Sequence, residues 1–247
     1  MRQYNHYLDE FEKYVSTYDL LNVKIKGKFE HSKRVMELSN KYAKLLDFNE
    51  EDIELATLIG LLHDIGRFEQ LRVYDSFNDV ATIDHADYSV EQLFKKDEIK
   101  RFTNEEDWYP IIEFAIKNHN KMDIPNIRDE RMIKHARLIR DVDKIDIMVA
   151  MTGRVIEDGS RVSKEMLDSF KKHGLIDRKY AKTRNDFIIN QYGFAFNIYY
   201  DIVLEEYKNN FIKFHESIKD NEKFMEAYEE VIKYINERIE KYERNRN

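Results

Sequence analysis

The sequence has no cysteine. That one absence removes disulfides, thiolate metal sites and cysteine nucleophiles together, so any bound metal must rely on His, Asp, Glu or water. Proline and glycine are scarce, two and seven in 247 residues, and so few chain breakers argue against an all-β fold. Long apolar runs are missing too. No stretch approaches the roughly 18 apolar residues that read as a membrane span, and the opening MRQYNHYLDEFEKYV carries no apolar signal core. The expectation is a cytoplasmic chain with no membrane partner. Nor is there an excess of positive charge. The net charge is −7, which disfavours bulk nucleic-acid binding, whereas a small anionic substrate needs only a local cationic pocket.

What is present is helical patterning. Hydrophobic residues make up 42% of the chain and charged residues 36%, interleaved at helical spacing as on solvated helix faces. Tyr4, Leu8, Phe11, Val15 and Tyr18 predict an amphipathic helix over residues 4–20. Gly27 reads as a turn, and a second helix over 31–46 places His31, Val35, Leu38, Tyr42 and Leu45 on one face. Residues 51–64 predict a short helix, apolar nearly all round and therefore central, with Gly66 as its C-terminal stop. Residues 67–83 lack periodicity and read as a loop. Helices follow over 85–96, from Pro110 to His119, and over 129–151. Residues 154–182 form a charged connector with a short helix near 162–172. Two long helices, 184–217 and 220–243, complete an all-α chain. No linker composition interrupts it, so residues 1–247 are expected to form one helical domain.

Four elements carry chemistry. His63-Asp64 ends the central helix, and burying an imidazole beside a carboxylate is costly unless both are satisfied. A metal ion satisfies both, although the dipeptide alone is common. His31 lies on an inward stripe, where a lone histidine is more often a hydrogen-bonded core residue. In the run from Arg140 to Asp146, Asp143 is spaced four residues from Ile139 and Ile147, and Asp146 falls between Val142 and Ala150. Either is a candidate ligand and periodicity does not separate them, while Asp141 reads as a surface carboxylate. His85 and His119 suggest a second metal site or a pair facing a substrate.

In this order, His31, then His63-Asp64 within Leu61-Leu62-His63-Asp64-Ile65-Gly66-Arg67, then Asp143 within Asp141-Val142-Asp143-Lys144-Ile145-Asp146, the sequence resembles the HD-domain superfamily of metal-dependent phosphohydrolases. The resemblance covers about residues 28–150, an expected metal-binding core, and leaves 154–247 as a C-terminal helical extension. It implies His31, His63, Asp64 and Asp143 as metal ligands, the Asp-Lys pattern favouring Asp143 over Asp146. It implies one or two divalent ions among Mn, Fe, Co, Ni and Zn. In two-metal members histidines such as His85 and His119 hold the second ion and the central aspartate, Asp64 here, bridges the two. Asn120 departs from some of those members, which have a histidine there. The glycine-tyrosine-proline stretch of cyclic-dinucleotide phosphodiesterases is also missing.

The implied reaction is hydrolysis of a phosphomonoester or phosphodiester, of a nucleotide by family analogy, by a metal-activated hydroxide. Asp64 would serve it as ligand, with Arg67 and Lys144 as phosphate-binding or charge-stabilising cations. Arg67 could instead cap a helix, and Lys144 could pair with Asp141 or Asp87. Arg72 and Lys121 are further substrate-side cations, and Asp87 or Glu69 a proton shuttle. Phe68, Tyr74 and Phe77 read first as loop anchors and second as a wall that stacks a base. Tyr192, Phe194, Phe196, Tyr199 and Tyr200 read as a packing face, alternatively one side of a homodimer. Two other readings compete with the enzyme: a non-catalytic HD-type ligand-sensing or interaction module, and a metal-free helical scaffold.

Overall fold

The computed structural model describes residues 2–154, 159–174, 176–177 and 180–246. Among these the chain is helical and contains no strand. It divides into two compact units, Met1–Val142 and Asp143–Asn247.

The first unit opens with α1 (Arg2–Val15), which buries Tyr7, Phe11, Tyr14 and Val15 at helical spacing. Helix α2 (Val23–Leu45) starts at Asn22, whose side chain accepts from Lys24 N. Gly27 lies inside this helix rather than in a turn. Its flanking residues are good helix formers, and one glycine costs only about 1 kcal/mol. Helix α3 (Glu50–Leu62) is capped by Asn49 and carries Glu50, Glu51 and Asp52 in its first turn, where the helix dipole favours acids. Every residue from Leu55 to Leu62 is buried. This central helix packs along α2 at Gly60, where a Cβ would come within 2.9 Å of the Val35 carbonyl oxygen.

Gly66 does not stop α3. It is the first residue of α4 (Gly66–Tyr74), so part of the expected loop is helix. The glycine is required by close approach: a Cβ would lie 2.5 Å from the Ser89 backbone nitrogen. Ser89 belongs to α5 (His85–Val90), which begins at the Asp84 cap and runs into a π-helical turn, Glu91–Lys95. Pro110 sits in the first turn of α6 (Tyr109–Asn118), where its missing N–H costs nothing. Helix α7 (Glu130–Met151) begins in the first unit and continues past Val142 into the second.

The second unit adds α8 (Lys164–Phe170), α9 (Arg184–Tyr192), α10 (Leu204–Glu216) and α11 (Met225–Arg246). Part of the 154–182 connector falls outside the described residues. The expected long helix 184–217 is broken: tight 3₁₀ turns occupy Gly193–Asn197 and Asp201–Val203, with Ile198 extended between them. The i, i+3 spacing of a 3₁₀ turn resembles that of an α-helix, so apolar periodicity runs across the break without revealing it. Tyr192, Phe194 and Phe196 are buried as expected, and Tyr192 meets Phe211 edge to face at 4.9 Å.

Candidate metal centre

Four helix segments of the first unit bring five predicted residues together. His31 comes from the middle of α2. His63 and Asp64 follow the last turn of α3, His85 is the first residue of α5, and His119 follows α6. None is more than 5% exposed. The Asp64 carboxylate lies among the four imidazoles. Its Oδ2 is 3.5 Å from His31 Nε2 and 3.6 Å from His63 Nε2. Its Oδ1 is 3.4 Å from His85 Nε2 and 3.7 Å from His119 Nε2. Within the first unit two potential ligand triads share this carboxylate, His31–His63–Asp64 and Asp64–His85–His119.

The hydrogen bonds assign the protons. His63 Nδ1 faces the Gly60 carbonyl oxygen at 2.8 Å, and His119 Nδ1 faces that of Ile116 at 2.7 Å. A carbonyl only accepts, so each Nδ1 donates, and the neutral ring then presents a lone pair at Nε2. His85 Nδ1 likewise faces Asp79 Oδ2 at 2.5 Å. The Nε2 atoms of His85 and His119 therefore point lone pairs at each other across 3.0 Å. Asp64 Oδ1, also buried, accepts no hydrogen bond. Lone pairs and an anionic oxygen converging without a donor are the donor set of a divalent cation, and imidazole with carboxylate suits first-row transition metals. Burial alone would raise the Asp64 carboxyl pKa. The Lys28 ammonium, 2.5 Å from Oδ2, instead holds it well below the usual range. Burial and the nearby Arg67 charge lower His85 to about 3, so its ring is neutral near pH 7.

The cations are placed unequally. Arg67 is buried, and its Nη1 donates to Asp79 Oδ1 at 2.7 Å, Gln70 Oε1 at 2.8 Å and the Phe77 carbonyl at 2.9 Å. Its Nε lies 3.8 Å from Asp64 Oδ1. Arg72 is exposed and pairs with Glu69. Lys121 bridges Asp84 and Asp87, which engages Asp87 in an ion pair. Asp143 and Lys144 lie on the continuation of α7 in the second unit, half-buried and buried respectively, with Asp141 and Asp146 buried beside them. Burial corrects the expectation of a surface Asp141. Phe68 is a core anchor against Phe11, Tyr14 and Tyr18. Phe77 lies under the Arg67 guanidinium at 5.5 Å, and Tyr74 is exposed.

Lys28, Gln70 and Asp79 escaped the sequence reading. Lys28 is three residues before His31, so on one helix face it falls beside that candidate ligand, a signal that was available. Asp79 sits in an irregular loop, where no periodicity points to it.

A second buried carboxylate lies away from this centre. Asp52, at the start of α3, receives Arg131 Nε at 2.7 Å and His135 Nε2 at 3.0 Å on Oδ1, and Lys134 Nζ at 2.5 Å on Oδ2. Burial lowers His135 to about 4 in spite of that carboxylate.

Comparison with known proteins yields one family: its model, described as HD domain, matches residues 29–148. Neither the curated proteins nor the solved structures gave a match. No helix among the described residues is long and apolar enough to cross a membrane.

Proposed function

Because residues 29–148 belong to the HD-domain superfamily, we propose that the chain is a metal-dependent phosphohydrolase acting on a small phosphorylated substrate, a nucleotide mono- or diester. The observation that carries this reading is the Asp64 carboxylate, each oxygen of which faces two histidine Nε2 atoms within 3.7 Å. His31, His63 and Asp64 would hold one divalent ion, and the family order adds Asp143 as a candidate ligand. His85 and His119, with the Asp64 carboxylate they share, would hold a second.

Divalent ions at such a centre supply a water acidic enough to ionise near neutral pH and an electrophile for a phosphoryl oxygen. The chain's own residues do the rest. Helix ends fix His63 and His119 with their Nδ1 protons engaged by backbone carbonyls, so that their Nε2 atoms need no reorganisation. Lys28, 23% exposed at its side chain, offers a cation at the rim of the centre toward the substrate's negative charge. Lys144 is a second cation for the phosphoryl group, and Arg72 an outer one. Arg67 acts from behind the centre, since its Nη1 is held by Asp79, Gln70 and Phe77.

Metal content per chain and phosphate release from a nucleotide panel, measured on one preparation, test the reading. One or two transition-metal ions per chain, with release lost in Asp64→Ala, are expected. Metal-loaded protein that binds a nucleotide without turnover would instead identify a ligand sensor. A chain that takes up no Mn, Fe, Co, Ni or Zn would overturn the proposal.

A further inference from the structure

We propose that Asp79 is the positioning residue for the second metal site, and that Arg67 and Gln70 serve to hold Asp79 in place. The inference rests on the two-ion reading of the Asp64 centre and adds residues to it.

The histidines differ in where they sit on their helices. His63 and His119 follow the last turns of α3 and α6. Each therefore finds a carbonyl oxygen three residues back, at Gly60 and Ile116, to take its Nδ1 proton. Their orientation comes with the helix. His85 is the first residue of α5, and no helical turn precedes it to offer such a carbonyl. Its Nδ1 needs a partner from elsewhere in the chain, and Asp79 Oδ2 supplies one at 2.5 Å. Asn120 Nδ2 also approaches His85 Nδ1, at 3.3 Å, but it has the two Asp84 oxygens as acceptors at 3.1 Å each. Asp79 is thus the acceptor that fixes which His85 nitrogen carries the proton.

Asp79 is not a loose surface acid. Its other oxygen, Oδ1, accepts from Arg67 Nη1 at 2.7 Å and from Gln70 Nε2 at 3.1 Å. Gln70 is fully buried and its Nε2 also reaches Thr82 Oγ1 and the Ile83 carbonyl, both at 2.9 Å. Arg67 donates in addition to the Phe77 carbonyl. Two side chains of α4, three residues apart, therefore clamp the loop 75–84 at several points and aim one carboxylate at one imidazole. A carboxylate behind a ligating histidine fixes its tautomer and raises its basicity. Only the histidine that lacks a carbonyl from its own helix has such a support among the rings whose Nδ1 partner is described above.

The experiment compares the wild-type chain with Asp79→Asn by metal titration and metal content, and reads the His85 tautomer in the metal-free proteins from long-range ¹⁵N–¹H correlations. The wild type is expected to bind two ions and to carry the His85 proton on Nδ1. Asp79→Asn is expected to keep one ion and to lose affinity for the second by about 10–100-fold, with the His85 proton moved to Nε2. A merely structural role for Asp79 would not move that proton. Two ions bound by Asp79→Asn with wild-type affinity would overturn the inference. So would a wild-type His85 protonated on Nε2, a result that needs no variant to fold. A wild-type chain that binds one ion removes the two-ion reading and this inference with it, while leaving a one-metal hydrolase standing.

Discussion

Asp52 and Asp64 are both buried carboxylates of the first unit, both on or next to α3, both within reach of histidine and lysine. They differ in what is left over. Asp52 has Arg131, His135 and Lys134 shared between its two oxygens. Asp64 has an oxygen with no hydrogen-bond donor, and imidazole lone pairs turned toward it. A carboxylate surrounded by donors is complete within the chain and ties α3 to α7. One with an oxygen that no donor reaches is left unmatched by the described residues, and that is the place the proposed cation would take. The count of charged neighbours does not separate the two clusters; the direction of the protons does.

The largest expected difference between the two lies in turnover. Asp64→Asn should cost at least about 10³-fold in phosphate release, some 4 kcal/mol of transition-state stabilisation, whereas Asp52→Asn should leave release per folded molecule near wild type. Equal losses in the two variants would erase the distinction. Stability should show the reverse order. Asp52→Ala leaves Lys134 and Arg131 without their buried partner and is expected to lower unfolding free energy by about 3–5 kcal/mol in denaturant titrations, with metal stoichiometry unchanged. Adding metal at about 100 times its dissociation constant should then stabilise the wild type and Asp52→Asn by about 2.7 kcal/mol, and leave Asp64→Ala unmoved in the same melting experiment.

The smallest effect concerns pH. His135 has a folded pKa of about 4, below its unfolded value of about 6.5. Between these values the unfolded chain binds the extra proton, so stability is complete above pH 6.5 and declines as the pH falls toward 4. By about pH 5 the decline assignable to His135 is on the order of 2 kcal/mol, and it should be missing from the pH profile of His135→Leu measured beside wild type in chelator. Parallel profiles would show that His135 does not titrate across folding.

Much of this was legible in the sequence because helical spacing reports burial directly. The stripe that carries His31 and the continuous apolar run before His63-Asp64 placed those residues inside, and the family resemblance read over about 28–150 agrees with the family match at 29–148. The illegible parts share one cause, contacts made between distant segments. Gly66 reads as a helix stop because glycine does stop helices; here it admits the backbone of α5 at Ser89. Helix α4 has no clean amphipathic period because Arg67 and Gln70 are polar yet buried, each hydrogen-bonded to a loop nine or more residues ahead. Asp79 sits in that loop with nothing in its neighbours to mark it. Asp52 passed unnoticed among three acids at a helix start, where the dipole alone accounts for them.

The burial of α3 on all sides has a consequence for motion. Its amides from Leu55 to Leu62 are hydrogen-bonded within a helix that water does not reach, so they should exchange with deuterium only when the whole unit opens. His63 and Asp64 hang from the end of that slowest-exchanging segment, whereas Asp79 belongs to a loop whose neighbours Val80 and Ala81 are exposed. The two halves of the centre are therefore anchored to parts of the chain with different lifetimes, and the half built on His85 should be the first to come apart and the last to form.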